Sequence, residues 1–348
     1  MTDTASNPAV TDGFEFVEYT AIETHDLARL FERLGFTAVA RHRAKDVVLY
    51  RQGDINFILN HEPQSFARSF ACVHGASVCA FAIRVKDAAA ALERALRLGA
   101  KAHRSPVGPM ELNIPAIRGI GGSLVYLVDR YGERSIYDVD FVPLAGVSAA
   151  PTGVGLTAID HLTHNVQKGR MDDWARYYER LFGFREIRYF DIHGRKTGLK
   201  SRAMVSPCGK IRIPINEPTE PGSQIQEYLQ AYHGEGIQHI ALASEDIYST
   251  VEQLGERGVR FMGVPDAYYE GLDQRLPGHG EDVARLRHNR ILIDGADGGW
   301  LLQIFTTTVI GPIFFEIIQR KGNQGFGEGN FQALFEAMEQ DQMRRGVL

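Results

Sequence analysis

The sequence predicts an α+β protein of four tandem βαβββ units, paired into two domains of curved mixed sheets and closed by a C-terminal lid helix. Three observations predict this. Period-two alternation turns into helical periodicity four times along the chain. Each of those helices stops at a glycine. Two helix ends nearly repeat one word, Phe31-Glu-Arg-Leu-Gly-Phe36 and Tyr178-Glu-Arg-Leu-Phe-Gly-Phe184, the mark of an internal repeat.

The first unit opens with a strand over 16–22, followed by a helix from His25 to Leu34 and a stop at Gly35. The second has a strand over 78–85, a helix from Asp87 to Leu98 and Gly99. The third has a strand over 158–166, a helix from Met171 to Leu181 and Gly183; the fourth a strand over 237–242, a helix from Asp246 to Glu256 and Gly258. Short β-branched and aromatic runs supply the other strands: Asp46 to Tyr50, Asn56 to Asn60, Gly122 to Val128, Lys210 to Asn216, Asn289 to Ile293, Trp300 to Thr306 and Phe314 to Gln319. The stretch Leu144 to Gly153 is small-residue, Pro- and Gly-bearing and aperiodic, which makes it a linker. It divides the chain into an N-terminal domain over 12–143 and a C-terminal domain over 154–348. The segment Asn330 to Arg345 reads as a helix with Phe331, Leu334, Phe335 and Met338 on one face, placed to cover a cavity.

Composition narrows the function. The 348 residues are 44% hydrophobic and 23% charged, which excludes a disordered chain. With 38 Lys+Arg against 43 Asp+Glu the net charge is −5, which disfavours a nucleic-acid partner, since phosphate binding needs a dominant basic face. No run approaches the roughly 18 apolar residues of a membrane helix, and Met1 to Asp12 lacks a signal layout, so a cytoplasmic location without membrane contact is expected. The cysteines Cys72, Cys79 and Cys208 are odd in number and lack metal-ligand spacing, leaving buried or incidental thiols.

The residues that could carry chemistry lie in the second half. The first strands of the third and fourth units carry His161 and His239, where the N-terminal strands carry Tyr19 and Cys79 or Ala80. Glu316 is an acid inside the apolar run 314–319, and a buried carboxylate is costly unless paired or metal-bound. Two histidines and a glutamate on three strands are the ligand set of a facial triad for non-haem Fe(II), and these lie 78 and 77 residues apart. His164 competes with His161. Three residues apart on a strand they face opposite ways, so one alone can enter a cavity, and alternation does not choose between them. The other nine histidines, His193, His233 and His279 among them, stand in polar or loop-like stretches and read as solvated.

Several words taken together resemble the 4-hydroxyphenylpyruvate dioxygenase family of the vicinal oxygen chelate superfamily. They are Asp160-His-Leu-Thr-His-Asn-Val166, Pro214-Ile-Asn-Glu-Pro218, Ser223-Gln-Ile-Gln-Glu-Tyr228, Gly236-Ile-Gln-His-Ile-Ala-Leu242, Leu302-Gln-Ile-Phe305, Phe315-Glu-Ile-Ile-Gln-Arg320 and Gly325-Phe-Gly-Glu-Gly-Asn-Phe331. The resemblance implies Fe(II) on His161, His239 and Glu316, choosing His161 over His164. It implies substrate contacts from Ser201, Asn216, Gln224, Gln238 and Gln303, and pocket aromatics at Phe305, Phe314, Phe326 and Phe331. Phe305 and Phe314 would be plain core in most folds; Asn216 and Gln303 inside apolar strands are less ordinary, because a buried amide needs partners.

The reaction so implied takes an aromatic α-keto acid and O2. Oxidative decarboxylation, ring hydroxylation and side-chain migration yield homogentisate and CO2, a step of tyrosine catabolism. A homo-oligomer is also expected. Three alternatives belong beside it: a 4-hydroxymandelate synthase, which hydroxylates the benzylic carbon; an extradiol dioxygenase or glyoxalase on the same architecture; and a metal-free binding module. Pro214 and Asn216 match the dioxygenase word rather than the more apolar one of the synthase, and the closing segment Gly325 to Phe331 argues against the second.

Overall fold

The computed structural model describes residues 7–347, apart from 195 and 297. The first unit consists of β1 (Thr11–Thr20), α1 (His25–Arg33), β2 (Thr37–His42), β3 (Val47–Gln52) and β4 (Ile55–Asn60). Helix α2 (Phe66–His74) leads to the second unit, β5 (Ser77–Val85), α3 (Ala88–Arg97), β6 (Ala102–His103), β7 (Ala116–Arg118) and β8 (Leu124–Val128). Helix α4 (Tyr137–Asp140) and β9 (Phe141–Pro143) then return the chain to the edge beside β2. The third unit is β10 (Leu156–Asn165), α5 (Met171–Phe182), β11 (Arg185–His193), β12 (Gly198–Val205) and β13 (Arg212–Pro218). After α6 (Gln224–Ala231), the fourth runs β14 (Gly236–Ser244), α7 (Ile247–Glu256), the short helices α8 (Leu272–Arg275) and α9 (Val283–Asn289), β15 (Leu292–Ala296), β16 (Gly299–Phe305) and β17 (Phe314–Lys321). The chain closes with α10 (Glu328–Arg345). Among the described residues no helix is long and apolar enough to cross a membrane.

The strands form two mixed sheets, ordered β6-β7-β8-β5-β1-β4-β3-β2-β9 and β11-β12-β13-β10-β14-β17-β16-β15. Each has the same centre. The first strands of its two units run antiparallel, β1 with β5 and β10 with β14, and each is flanked by the parallel last strand of its own unit. Helix periodicity explains the layer beside them: α5 buries Met171, Ala175, Tyr178, Leu181 and Phe182 along one stripe and ends at Gly183, whose positive φ of 72° a Cβ would penalise. Helices α1, α3, α5 and α7 and one face of each sheet share a continuous core, in which Phe57 of β4 packs 6.0 Å from Phe315 of β17. The turn before β8 and the loop before β14 also approach backbone to backbone. A Cβ on Gly121, at φ +58°, would lie 1.9 Å from the carbonyl oxygen of Glu235.

Register relates the two halves residue by residue. In the second sheet His161 pairs with Ala241, which pairs with Glu316. In the first, Phe16 pairs with Ala82, which pairs with Tyr126. Bulges follow Glu18 in β1 and Thr163 in β10, so the strands align with Phe16 at the place of His161 and Ala80 at that of His239. This corrects the expectation of Tyr19 at the place of His161, and of the two candidates for that of His239 it selects Ala80 over Cys79. Tyr19 occupies the place of His164, and both it and Cys79 are buried in the shared core on the other face.

Two further differences have local causes. The strand expected over Asn289 to Ile293 begins at Leu292, because the Asp282 side chain accepts from the amides of Ala284 and Arg285 and caps α9, which ends on Arg290 in the left-handed region. His279 is buried rather than solvated, with Nε2 2.9 Å from Asp273 Oδ1. Of the cysteines, Cys72 is exposed and Cys79 buried.

Candidate metal centre and its cavity

Alternation along the central strands sends Leu162, Ile240, Phe315 and Ile317 into the shared core and turns His161, His239 and Glu316 to the opposite face. There the three side chains converge. His161 Nε2 lies 3.3 Å from His239 Nε2 and 3.2 Å from Glu316 Oε2, and His239 Nε2 lies 3.3 Å from the same oxygen. All three are buried. Two donors bound to one ion at about 2.1 Å are roughly 3 Å apart when adjacent in an octahedron, so the triangle fits a single cation on one face of its coordination sphere.

The neighbouring groups fix which atoms face the centre. His161 Nδ1 is 2.8 Å from Asp160 Oδ1, and His239 Nδ1 is 3.0 Å from Gln238 Oε1. Both partners accept, so each Nδ1 carries a hydrogen and Nε2 is the atom each ring turns to the centre, where an ion would take the place of any second proton. Asp160 is gripped by Arg320, with Nε 2.7 Å from Oδ2 and Nη2 2.8 Å from Oδ1. Glu316 Oε1 accepts from Gln303 Nε2 at 2.7 Å, which leaves Oε2 toward the histidines.

Charge follows the same layout. Burial alone would raise the Glu316 carboxyl, but the charge and hydrogen bonds of His161 and His239 outweigh it and hold the group down at about 2. Burial opposes protonation of His161, yet Glu316 and Asp160 together lift it to about 8. Burial pushes His239 down. Asp160 lies well below the usual carboxylate range: the cost of burial is exceeded by hydrogen bonds from Arg320 and His161. Asp160 is already paired with Arg320, so Glu316 is the carboxylate whose charge draws a cation to this point.

His164 is elsewhere. It faces the shared core, with Nε2 2.7 Å from Tyr178 Oη and its ring 6.2 Å from Phe81, and burial lowers it to about 3.

The cavity over the triad gathers most of the remaining candidates. Ser201, Asn216, Gln303, Phe305, Phe326 and Phe331 line it with the three ligands. Ser201 and Asn216 are cross-strand neighbours on β12 and β13, and Ser201 Oγ and Asn216 Oδ1 are buried without a partner. Phe326 stands edge-on to His161 at 5.5 Å, and Phe331, on α10, edge-on to Phe190 at 5.6 Å. Phe314 lies behind the site, stacked on His239 at 4.7 Å, where it holds the ring in place. Gln224 and Gln238 are not in this cavity; they line a second one beneath α10, with Tyr228 and Met338. Gln238 reaches the centre only through His239.

Pro214 and Leu334, singled out in the sequence, line the cavity, whereas sequence reasoning gave no role to Asp160, Thr163, Phe190 or Arg320. The Asp-His pair was legible, but adjacent strand residues normally face opposite ways. The register shift between Ile159 and His161 accompanies the reach of Asp160 to His161 Nδ1.

Comparison with known proteins identifies the family. A family model described as hydroxyphenylpyruvate dioxygenase, N-terminal, matches residues 5–142, and the glyoxalase/bleomycin resistance protein/dioxygenase superfamily model matches residues 158–275. The chain is 63% identical to hemolysin VllY of Vibrio vulnificus over 99% of its own length and 98% of that protein's. It is 61% identical to the 4-hydroxyphenylpyruvate dioxygenase of Pseudomonas aeruginosa, covering 98% of this chain and 97% of that one. A solved mutant of 4-hydroxymandelate synthase from Streptomyces coelicolor superposes with a TM-score of 0.83 at 25% identity, over 95% of this chain and 99% of the other. With a relative of that name at 61% identity along nearly its whole length, the chain belongs to the 4-hydroxyphenylpyruvate dioxygenase family.

Proposed function

We propose that this chain is a cytoplasmic Fe(II) enzyme that converts 4-hydroxyphenylpyruvate and O2 into homogentisate and CO2, as a step of tyrosine catabolism. The observation that carries the reading is the buried triangle of His161, His239 and Glu316, whose donor atoms lie 3.2–3.3 Å apart. Two imidazoles and one carboxylate are the protein ligands of non-haem Fe(II) oxygenases and leave three positions open. Bound there, Fe(II) supplies the oxidising chemistry: chelation of the keto acid, activation of O2, and with them decarboxylation and hydroxylation.

The chain's own residues supply position and exclusion of water. Asp160 and Gln238 accept from Nδ1 of the two histidines and so hold each ring with Nε2 turned to the centre. Ser201 Oγ and Asn216 Oδ1, buried without partners, suit the ring hydroxyl of the substrate, and their distance from the ligands decides which ring carbon faces the oxidant. Phe305, Phe326 and Phe331 give the ring an apolar slot under α10. The roles assigned to Gln224 and Gln238 in substrate contact require entry through the cavity beneath α10 that they line.

The test is anaerobic reconstitution with Fe(II), addition of 4-hydroxyphenylpyruvate and then oxygen, and chromatographic identification of the product. Homogentisate is expected. 4-Hydroxymandelate would keep the site and move the chemistry to the benzylic carbon, the reaction named for the structural neighbour. Absence of oxygen uptake by iron-loaded protein would overturn the substrate assignment.

A further inference from the structure

We propose that Asn330, in the first turn of α10, is a positioning residue for Glu316: through Gln303 it aims the carboxylate at the metal position and so couples docking of the helix to metal affinity. The inference rests on the metal reading above.

Three buried side chains form a continuous chain of hydrogen bonds from α10 to the triad. Asn330 Nδ2 donates to Gln303 Oε1 at 2.8 Å, and Gln303 Nε2 donates to Glu316 Oε1 at 2.7 Å. Asn330 is fully buried and Gln303 and Glu316 nearly so. The far end is anchored too. Tyr268 Oη accepts from Ile293 N at 3.0 Å and has two acceptors within reach of its one hydrogen, Asn330 Oδ1 at 2.9 Å and Ile293 O at 2.8 Å. Asn330 Nδ2 also lies 3.3 Å from Leu301 O.

The direction of this chain is forced. An ionised carboxylate only accepts, so Gln303 must turn its NH2 to Glu316 and its oxygen to Asn330. Asn330 must then turn its own NH2 to Gln303 and its oxygen to Tyr268. Orienting the Gln303 amide in turn fixes which oxygen of Glu316 is left for the ion. The approach is close: Gly327, at φ +67°, precedes α10, and a Cβ there would lie 2.5 Å from Gln303 Oε1. The other α10 side chains over the cavity, Phe331 and Leu334, are apolar and cannot orient a carboxylate.

Coupling of this kind is reciprocal, so an ion that orders Glu316 must also hold α10. Metal-free full-length protein is titrated with Co(II), followed by its visible ligand-field absorption, and hydrogen exchange of 328–345 is measured with and without Co(II). Asn330→Ala is expected to weaken Co(II) binding about tenfold, the lower end of what outer ligand partners contribute. Asn330→Asp should weaken it more, since a second acceptor turns the Gln303 oxygen against Glu316. Tyr268→Phe should weaken it less. The absorption band should shift in the Asn330 variants, and Co(II) should slow exchange at the start of α10 in the wild type but not in Asn330→Ala. Wild-type affinity, an unshifted band and retained Co(II)-dependent protection in both Asn330 variants would overturn the proposal. Failure of the wild-type chain to take up Co(II) would overturn the metal reading itself, and this inference with it.

Discussion

The two sheets follow one plan down to their irregularities, yet they put opposite chemistry at the same three positions. In the second, the row holds His161, Ala241 and Glu316, with His239 one pair along. In the first, it holds Phe16, Ala82 and Tyr126, with Ala80 at the place of His239, and the rings of Phe16 and Tyr126 pack 5.6 Å apart. Glu18 stands where Thr163 does; it is bonded to Asn60 at 2.6 Å, and burial raises its carboxyl. The N-terminal sheet fills its cavity with the apolar cluster of Phe16, Leu49, Ile58 and Phe141, whereas the C-terminal sheet keeps a cavity in which His161, His239, Glu316, Ser201 and Asn216 stand among aromatic rings. The same architecture thus carries three buried candidate metal ligands in one sheet and apolar packing in the other.

The largest way to break the comparison is to remove the acid. Glu316→Gln should lower turnover at least about a thousandfold and weaken metal binding, with the fold intact, because the amide replaces the one anionic ligand. Oxygen uptake at saturating Fe(II) and circular dichroism check both halves of the statement. Full activity would mean that the triangle is not the centre.

A second effect separates the halves by acid. Burial holds the imidazole of His164 at about 3 in the folded chain, whereas an unfolded histidine titrates near 6.5. Between those values the unfolded state binds more protons, so stability rises with pH there and is complete above about 6.5. By pH 4 the loss is about 3 kcal/mol. Tyr19, at the same place in the first sheet, does not ionise in that range. Urea unfolding at pH 7 and pH 4 should show the loss in the wild type and much less of it in His164→Gln; equal losses would refute the assignment.

The smallest effect is the converse graft. Phe16→His puts an imidazole among apolar neighbours without the glutamate and second histidine that complete the set. It should cost about 2 kcal/mol, the price of burying an unpartnered polar group, and add no metal site. Urea unfolding and Co(II) titration measure the two parts.

Much of the fold could be read in advance because the repeat is written in periodicity. The four first strands, their helices and the glycine stops of α1, α3, α5 and α7 fall within a few residues of expectation. Helices α2 and α6 and strands β11 and β12 were missed. Strand β11 is an exposed edge whose charged residues Arg185, Glu186, Arg188 and Asp191 obscure the alternation. The position of His161 over His164 followed from resemblance, and the structure supplies the physical reason: Leu162 and His164 share the core face, where His164 meets Tyr178, which leaves His161 and Thr163 to the cavity.

What the sequence alone determined was therefore local and periodic: the repeated unit, the strands that carry His161, His239 and Glu316, and the asymmetry between a half with histidines and a half without. Only the tertiary structure decided which N-terminal residues are their equivalents, that Gln224 and Gln238 line a different cavity from Ser201 and Asn216, and that Asn330 reaches Glu316 through Gln303. Those facts depend on strand register and on contacts between segments far apart in the chain. A single-residue slip reverses every face of a strand, and nothing in local periodicity records it.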